Sequence, residues 1–223
     1  RTEFWARKFS FGRLVIYLIL TLVFIAVFYP FFYVLSLSVM PYENFVKHAV
    51  HAWPNGFTLL YFREILKEHG LVRGFQISVA RTVVGTTLNV VATIMAGYAL
   101  SRRKLKYGRF LTFLFLIPMY FQGGMIPYFL TVRATGMLNT FWALIIPGLV
   151  SSMWLFIARA YFLEFPEEII ESATIDGAGQ FRIFWNIVWP TSAPLIATIA
   201  MMYGTDHWNE YFWSRVLVSS ELW

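Results

Sequence analysis

Four of the twelve acidic side chains lie within ten residues, at Glu167, Glu168, Glu171 and Asp176. Pro166 precedes them. Proline is tolerated at the start of a helix, and carboxylates in the first turn complement the positive end of the helix dipole. The pattern predicts a short helix whose carboxylates face water or a basic groove. Its carboxylates would bind a partner through their negative charge.

A second short helix is predicted after Gly177, where the missing side chain allows the backbone to break or bend. Beyond it, apolar side chains recur at the spacing i, i+3, i+4, i+7 and i+8, which is typical of an amphipathic helix. This stripe consists of Phe181, Phe184, Trp185, Val188 and Trp189. We expect the stripe to lie against the rest of the protein. Ser172 and Ala173 are small enough for another surface to approach closely.

Polar and aromatic side chains alternate near the C-terminal end of the chain. Trp208, Tyr211 and Trp213 offer flat faces for stacking, and Asn209 and Glu210 offer directional hydrogen bonds. Polar groups within a membrane span usually face a cavity or the bundle interior. Aromatic belts at the membrane surface produce a similar pattern. We expect Trp213 to belong to such a belt and Asn209 to line a translocation pathway.

The composition excludes several kinds of reactive site. The chain has no cysteine, which removes disulfides, thiolate catalysis and Cys-ligated metals. The four histidines form no H-E-x-x-H pair, and His48 and His51 are expected to be solvated. The dipeptide Gly-Lys is absent, so the chain contains no phosphate-binding loop for ATP. We therefore predict no catalytic residue, no metal and no bound cofactor.

The same composition places the chain in a membrane. Hydrophobic residues make up 58% and charged residues only 13%, whereas soluble domains average about 25% charged residues. The net charge of +6 could suggest nucleic acid. However, the basic residues cluster beside the apolar runs, which is how a membrane protein sets its orientation. We interpret the charge as a topology signal, with no nucleic-acid partner.

About five membrane spans are predicted, because about 20 apolar residues are needed to cross the hydrocarbon layer. They cover residues 14–39, 75–100, 110–132, 138–162 and, from Pro190 or Pro194, up to about 218. The third span is interrupted around Gln122. The break there either shapes a cavity wall or gate, or marks the end of the span. Asn89 is interpreted as an interhelical hydrogen-bonding residue.

The orientation follows from the lysines and arginines of the short connections. Four lie in residues 1–13 and five in 102–109, which places both segments inside. By alternation, residues 41–74 are periplasmic and residues 164–190 are cytoplasmic. The chain is interpreted as a single membrane domain, 1–223, with further residues expected beyond both ends.

The loop 164–190 resembles the cytoplasmic EAA loop of ABC importer permeases. The match rests on the spacing of Glu171, Gly177, Ile187 and Pro190, with Ser172 and Trp189 departing from the usual alanine and leucine. The runs FQGGMIP, LNTFWALIIPG and WNEYFW resemble permeases of sugar-type importers, including the second membrane subunit of the maltose importer. GGMIP is similar to a branch that serves complex oligosaccharides, with alginate-type importers among the candidates.

The resemblance implies an all-α, polytopic bundle with the type I ABC importer permease fold and a sixth span beyond the C-terminal end. It implies a multi-pass subunit in the cytoplasmic (inner) membrane of a bacterium, working with a second permease, an ABC ATPase dimer that uses ATP and Mg, and an external solute-binding protein. The implied cargo is an oligosaccharide. The implied ATPase-coupling residues are Glu167, Glu168, Glu171, Ser172, Ala173, Asp176, Gly177 and Ala178, and the pathway candidates are Gln122, Trp208, Asn209, Glu210 and Tyr211.

Three alternatives remain open. An amphipathic helix could rest on lipid, but such helices usually carry lysine and arginine on the polar face. An ion-driven secondary transporter would be expected to hold carboxylates near mid-membrane, and spans one to four contain no Asp or Glu. A membrane-embedded enzyme would gather acid, base and metal residues, for which only the residues from Asp206 to Glu210 are candidates.

Overall fold

Every regular element in the described part of the chain is helical. The structure is a computed structural model that describes residues 11–47, 53, 55–103, 105–121 and 123–218. Its internal contacts divide the chain into a unit that ends at Val72 and a unit that begins at Arg73. The two units are described separately. The prediction of one membrane domain stays a prediction.

The first unit contains one long apolar helix followed by two short ones. Helix α1 (Phe11–Ser38) has 28 residues and continues through Pro30, which gives a length of about 42 Å. It confirms the first predicted span. Helices α2 (Tyr42–Lys47) and α3 (Leu60–Lys67) follow. The backbone N–H of Tyr42 donates to the hydroxyl of Tyr61 at 2.8 Å, which ties the two short helices together.

Helix α4 (His69–Ser101) confirms the second predicted span and is longer than expected. Its 33 residues correspond to about 50 Å at 1.5 Å per residue, more than the hydrocarbon layer requires. Its residues from Arg73 onward belong to the second unit. The basic residues that follow it lie at its C-terminal end.

The third predicted span is divided into two helices. Helix α5 (Gly108–Tyr120) has only 13 residues, and α6 (Met125–Ala134) begins after Gly124, whose φ is +82°. This left-handed conformation suits glycine and interrupts the helix. Of the two interpretations of the break, the structure favours the end of a helix. Gln122 itself lies outside the described residues.

The fourth span is bent. Two 3₁₀ turns, Phe141–Leu144 and Ile146–Gly148, meet α7 (Ser152–Leu163) at 48°. The fourth span therefore starts at Phe141 rather than at residue 138.

The fifth span includes a sharper bend. After α8 (Glu167–Ile175), the chain passes through α9 (Gln180–Ile183), a π-helical turn (Phe184–Val188) and α10 (Trp189–Thr191). Helix α11 (Ala193–Asn209) leaves this segment at 81°. A proline inside a helix lacks an N–H and its ring clashes with the preceding turn, which accounts for bending beside Pro190 and Pro194.

The fifth span ends earlier than the prediction of residue 218. Helix α11 stops at Asn209 after 17 residues, and a separate helix, α12, covers Phe212–Leu217. By length and composition, two described helices can cross a membrane on their own, and four spans result if each bent pair counts as one.

The main core of the second unit lies where α4, α7 and α11 meet the segment 183–188. Its members include Ile94, Ala158, Ile183, Val188 and Ile199, all fully buried. A Cβ added at Gly97 would lie 2.6 Å from the Cβ of Ala158. Glycine at this crossing therefore allows α4 and α7 to approach closely, as the small residues of the second span predicted.

The second unit has two distinguishable ends. At one, Arg103 Nε lies 3.9 Å from Glu167 Oε1, so the basic segment 102–109 and the loop 164–190 are neighbours. At the other, Asn139 N donates to Leu217 O at 3.0 Å and the rings of Tyr128 and Trp213 are 4.4 Å apart. The two segments that were both predicted to be cytoplasmic therefore lie at the same end.

Candidate coupling surface and polar cluster

Two short helices meet at Gly177, as the sequence predicted. Gly177 has φ of +80°, and its N–H donates to Thr174 O while the N–H of Ala178 donates to Ala173 O, both at 3.0 Å. These two bonds form a Schellman motif, in which glycine adopts the left-handed conformation that ends a helix. The turn fixes the angle between α8 and α9.

One face of α8 attaches it to the bundle. Ile170 is buried in the main core, and Ala173 and Ala178 are partly buried against that core. The small side chains that were expected to allow a partner to approach are thus divided between two faces. Ser172 is exposed, and its hydroxyl donates to Ile169 O at 3.0 Å. Ala173 contacts the bundle instead, because it follows Ile170 by three residues on the same face of α8, and Ala178 contacts the bundle from beyond the turn.

The predicted acidic face is exposed to solvent. Glu167, Glu168, Glu171 and Asp176 all lie on the surface. Glu167 approaches Arg103, but both side chains are more than half exposed. Such pairs contribute little to stability. The carboxylates are therefore accessible to a basic partner.

Two large apolar side chains lie exposed beside the same turn. Ile175 is 85% exposed and Phe181 is 73% exposed. The acidic residues and these two side chains together form the coupling surface. Sequence reasoning missed Ile175 and assigned Phe181 to the buried stripe. The signal for Ile175 was its position two residues before Gly177, away from the face of Ile170.

The predicted apolar stripe is only partly correct. Phe184 and Val188 are buried, but Phe181 and Trp185 are exposed, while Ile183 is fully buried. The reason is the π-helical turn Phe184–Val188. A bond from i to i+5 inserts an extra residue, so the helical period used in the prediction no longer identifies the buried side.

A cavity of about 800 Å³ separates α8 from the end of α4. Tyr98 and Arg102 line it on one side, and Glu167, Glu171 and Ile175 line it on the other. Helix α8 is therefore held mainly at its core-facing side chain.

The polar cluster at the opposite end is organised around Glu210. Arg81 Nη1 donates to Glu210 Oε2 at 2.9 Å and to Ser214 Oγ at 2.6 Å. The same carboxylate accepts from the backbone N–H of Trp213 at 2.6 Å and of Ser214 at 3.1 Å. Glu210 thus pairs with α4 and caps α12, which explains why the fifth span breaks there. Its oxygens are occupied by the protein itself.

The other pathway candidates differ in their surroundings. Trp208 is 54% exposed and Tyr211 is 68% exposed, and Asn209 is exposed at the end of α11. The Tyr211 hydroxyl accepts from Arg215 Nη1 at 3.1 Å. The rings of Trp208 and Tyr211 remain accessible. Trp213 instead packs on Tyr128 of α6.

Buried polar contacts join α4 to its neighbours between the two ends. Asn89 Nδ2 donates to Gly148 O at 3.2 Å, which confirms the interpretation of Asn89 as an interhelical hydrogen-bonding residue. The Tyr203 hydroxyl lies 2.8 Å from Thr93 Oγ1 and accepts from Ser151 N at 2.9 Å. A Cβ added at Gly85 would lie 2.5 Å from His207 Nε2, so His207 packs on a glycine.

Within the described residues, no group of three or more His, Cys, Asp or Glu is placed to hold a metal ion. His48 and His51 lie outside that part of the chain. The site thus consists of an exposed coupling surface at one end and a polar cluster at the other.

Residues 88–221 match the family of binding-protein-dependent transport system inner membrane components. LplC of Bacillus subtilis is 34% identical over 85% of this chain. The polygalacturonan/rhamnogalacturonan transport system permease protein YtcP of the same organism is 37% identical over 82% of it. The chain spans 64% of the length of each of these relatives.

The fold also matches a solved structure. A bacterial ABC transporter involved in the import of the acidic polysaccharide alginate contains a chain that superposes with a TM-score of 0.90 and 25% identity. The match covers 97% of this chain and 79% of that one. It confirms the predicted all-α permease fold. The chain therefore belongs to the family of inner-membrane components of binding-protein-dependent transport systems.

Proposed function

We propose that this chain is a permease subunit of an ATP-driven importer of oligosaccharides, and that the coupling surface docks on the ATPase. The observation that carries the proposal is the combination on α8 and the turn after it: four exposed carboxylates beside the exposed apolar side chains of Ile175 and Phe181. A soluble protein with a basic, partly apolar groove complements both properties. Glu167, Glu168, Glu171, Ser172, Asp176 and Gly177 would form this contact.

Resting on lipid suits the same surface less well. Carboxylates beside the anionic cytoplasmic leaflet have the unfavourable sign of charge. Burying Ile175 and Phe181 against a protein removes apolar surface from water without bringing the carboxylates to the lipid headgroups. We therefore favour a protein partner over a lipid surface.

The proposed division of labour assigns the chemistry to other subunits. The chain has no phosphate-binding loop, so ATP and Mg would be used by the ATPase dimer. A second permease subunit would complete the translocation pathway, and an external binding protein would deliver the substrate. This chain would bind no cofactor and catalyse no reaction.

The proposed substrate class is an oligosaccharide. The name of YtcP refers to polygalacturonan and rhamnogalacturonan, and the superposed transporter imports alginate. In this chain Trp208 and Tyr211 present accessible rings, and Asn209 lies between them. Aromatic faces with an adjacent amide suit a sugar ring and its hydroxyls. We propose these three residues, rather than Glu210, as the pathway contacts.

Charge reversal at the coupling surface tests the docking. We expect Glu171→Lys to lose the co-purifying ATPase, because a lysine would face the basic groove. The matched control is Glu43→Lys, an exposed position in the predicted periplasmic segment, which should retain it. Full ATPase binding and full transport by Glu171→Lys would overturn the docking proposal.

The substrate class is tested separately in the assembled complex. ATP hydrolysis should rise when a panel of oligosaccharides is added with the binding protein. Transport that continues without any ATPase would instead favour an ion-driven carrier.

A further inference from the structure

A second cavity, of about 690 Å³, lies between the end of α4, the start of α5 and the end of α7. Four arginines line it, and none of its described lining residues is acidic. They are Arg102, Arg103, Arg109 and Arg159. Four cations around one cavity repel each other unless an anion is present. The cavity is therefore a candidate anion site.

The arginines are only partly satisfied by the protein. Arg159 Nε donates to Leu100 O at 3.1 Å. Arg102 stacks its guanidinium over the ring of Tyr98, and its Nε and Nη2 atoms are buried without a hydrogen-bond partner. Buried donors of a charged group are costly when they are unpaired. Arg102 therefore lies beside the cavity with part of its hydrogen-bonding capacity left unused by the protein.

The start of α5 adds to the positive potential. Gly108 and Arg109 lie in its first turn and line the cavity. The N-terminus of a helix presents unpaired N–H groups and the positive end of the dipole. No acidic side chain occupies that turn. This helix end thus favours an anion at the same place as the arginines.

The remaining wall is apolar and identifies the kind of anion. Phe113, Leu116 and Leu163 line the cavity beside the arginines. The cavity lies at the end of the unit that carries the loop 164–190, the side predicted to be cytoplasmic. Basic pockets between membrane helices on that side suit lipid headgroups. The arginines would bind the phosphate, and the apolar wall would contact the acyl chains.

We propose that this cavity binds an anionic phospholipid of the cytoplasmic leaflet, with its phosphate between Arg102 and Arg109 and its acyl chains along Phe113 and Leu116. The site adjoins the coupling surface, since Arg102 and Arg103 line both cavities, but it does not depend on the substrate. The same phosphate chemistry could be supplied by free phosphate. The experiment distinguishes the two sources.

The test uses the assembled transporter in nanodiscs that contain phosphatidylglycerol and phosphatidylcholine. After transfer to detergent, native mass spectrometry measures the lipid that remains bound. We expect phosphatidylglycerol to be retained about tenfold over phosphatidylcholine. Arg102→Gln combined with Arg109→Gln should abolish this preference. Arg109→Lys, which keeps the charge, should preserve most of it.

Two further single variants serve as controls. Arg133→Gln removes an exposed arginine at the other end of the unit and should leave the preference unchanged. Arg109→Gln alone alters an exposed side chain, so it serves if the double variant fails to assemble, and it should weaken the preference. Equal retention of both lipids, or an unchanged preference in Arg109→Gln, would overturn the proposal. Displacement of the lipid by millimolar inorganic phosphate would reassign the site to free phosphate.

Discussion

The pair formed by Arg81 and Glu210 is the most consequential contact between single residues. Their side chains are only 7% and 21% exposed. Each charge therefore compensates the other in a place that water scarcely reaches. Loss of one partner leaves a buried, unpaired charge, which is far more costly than the net contribution of the pair. Glu210 therefore acts mainly on the structure of the chain.

Glu210→Gln should destabilise the chain by about 3 kcal/mol, because Arg81 would remain buried without its counter-ion. Thermal unfolding in detergent measures the effect. Glu64→Gln is the matched control, since it removes an exposed pair with Lys67 and should change stability by less than about 0.5 kcal/mol. Equal unfolding temperatures for both variants would contradict the role of the buried pair.

Some residue roles could be predicted from the sequence and others could not. Asn89 is a polar side chain among small neighbours inside a span, so its interhelical hydrogen bond follows from local pattern. The pairing of Arg81 with Glu210 joins positions 129 residues apart. No local pattern reports such a contact. The sequence therefore suggested Glu210 as a free hydrogen-bonding residue.

At the scale of elements, the α8–α9 turn depends on one backbone conformation. Gly177 has φ of +80°, with open space around the position where a Cβ would lie. A substitution there would thus meet no steric contact and would only strain the backbone. Substitution of Gly177 would therefore change the geometry of the coupling surface without changing its charge.

Gly177→Ala should destabilise the turn by about 1–2 kcal/mol, the usual cost of a left-handed conformation for a residue with a Cβ. We expect weaker coupling, measured as transport per ATP hydrolysed in the complex. Gly179→Ala is the matched control, because Gly179 has φ of −71° and no neighbour within 4 Å. If both variants couple normally, the geometry of this turn is not required.

The crossing of α4 with α7 depends on Gly97. Gly97→Ala places a methyl group within 2.6 Å of Ala158, so the helices must separate at a cost of about 1–3 kcal/mol. Gly74→Ala in the same helix meets no neighbour and should stabilise by about 0.5–1 kcal/mol. The two variants should therefore shift the unfolding temperature in opposite directions. A shift in the same direction would contradict the close approach.

Long apolar helices were predictable, but their breaks were not. Helix α1 follows from a long apolar run, and α4 from a mostly apolar run that contains Arg81. The π-helical turn at Phe184 changes which side is buried, and the end of α11 depends on the capping of α12 by Glu210. Both are set by tertiary contacts. Composition and periodicity therefore gave the right elements with wrong boundaries and, for Phe181, the wrong face.

At the scale of the whole molecule, the arrangement of ends agrees with the charge-based topology. The basic segment 102–109 and the loop 164–190 share one end of the second unit, and residues 128–140 share the other end with α12. The distribution of lysine and arginine in the sequence predicted that these two segments lie on the same side. Which side faces the cytoplasm follows from the same bias.

Single cysteines can test the topology directly, because the sequence contains no cysteine of its own. Ile175→Cys should react with a membrane-impermeant maleimide only in inside-out vesicles, and Thr135→Cys only in intact spheroplasts. Both positions are exposed in the chain by itself, and the labelling is carried out in vesicles that lack the ATPase, because the proposed docking would cover Ile175. Labelling of Ile175→Cys from outside would overturn the topology and the docking proposal with it.

Helix α4 runs without interruption from Arg81 to Ser101, about 30 Å along its axis. Arg81 holds the polar cluster at one end, and Arg102, just past the other, borders the cavity beneath α8. Because this part of α4 has no break, we expect its two ends to move together. A displacement of the end beside α8 would therefore also displace the polar cluster around Glu210.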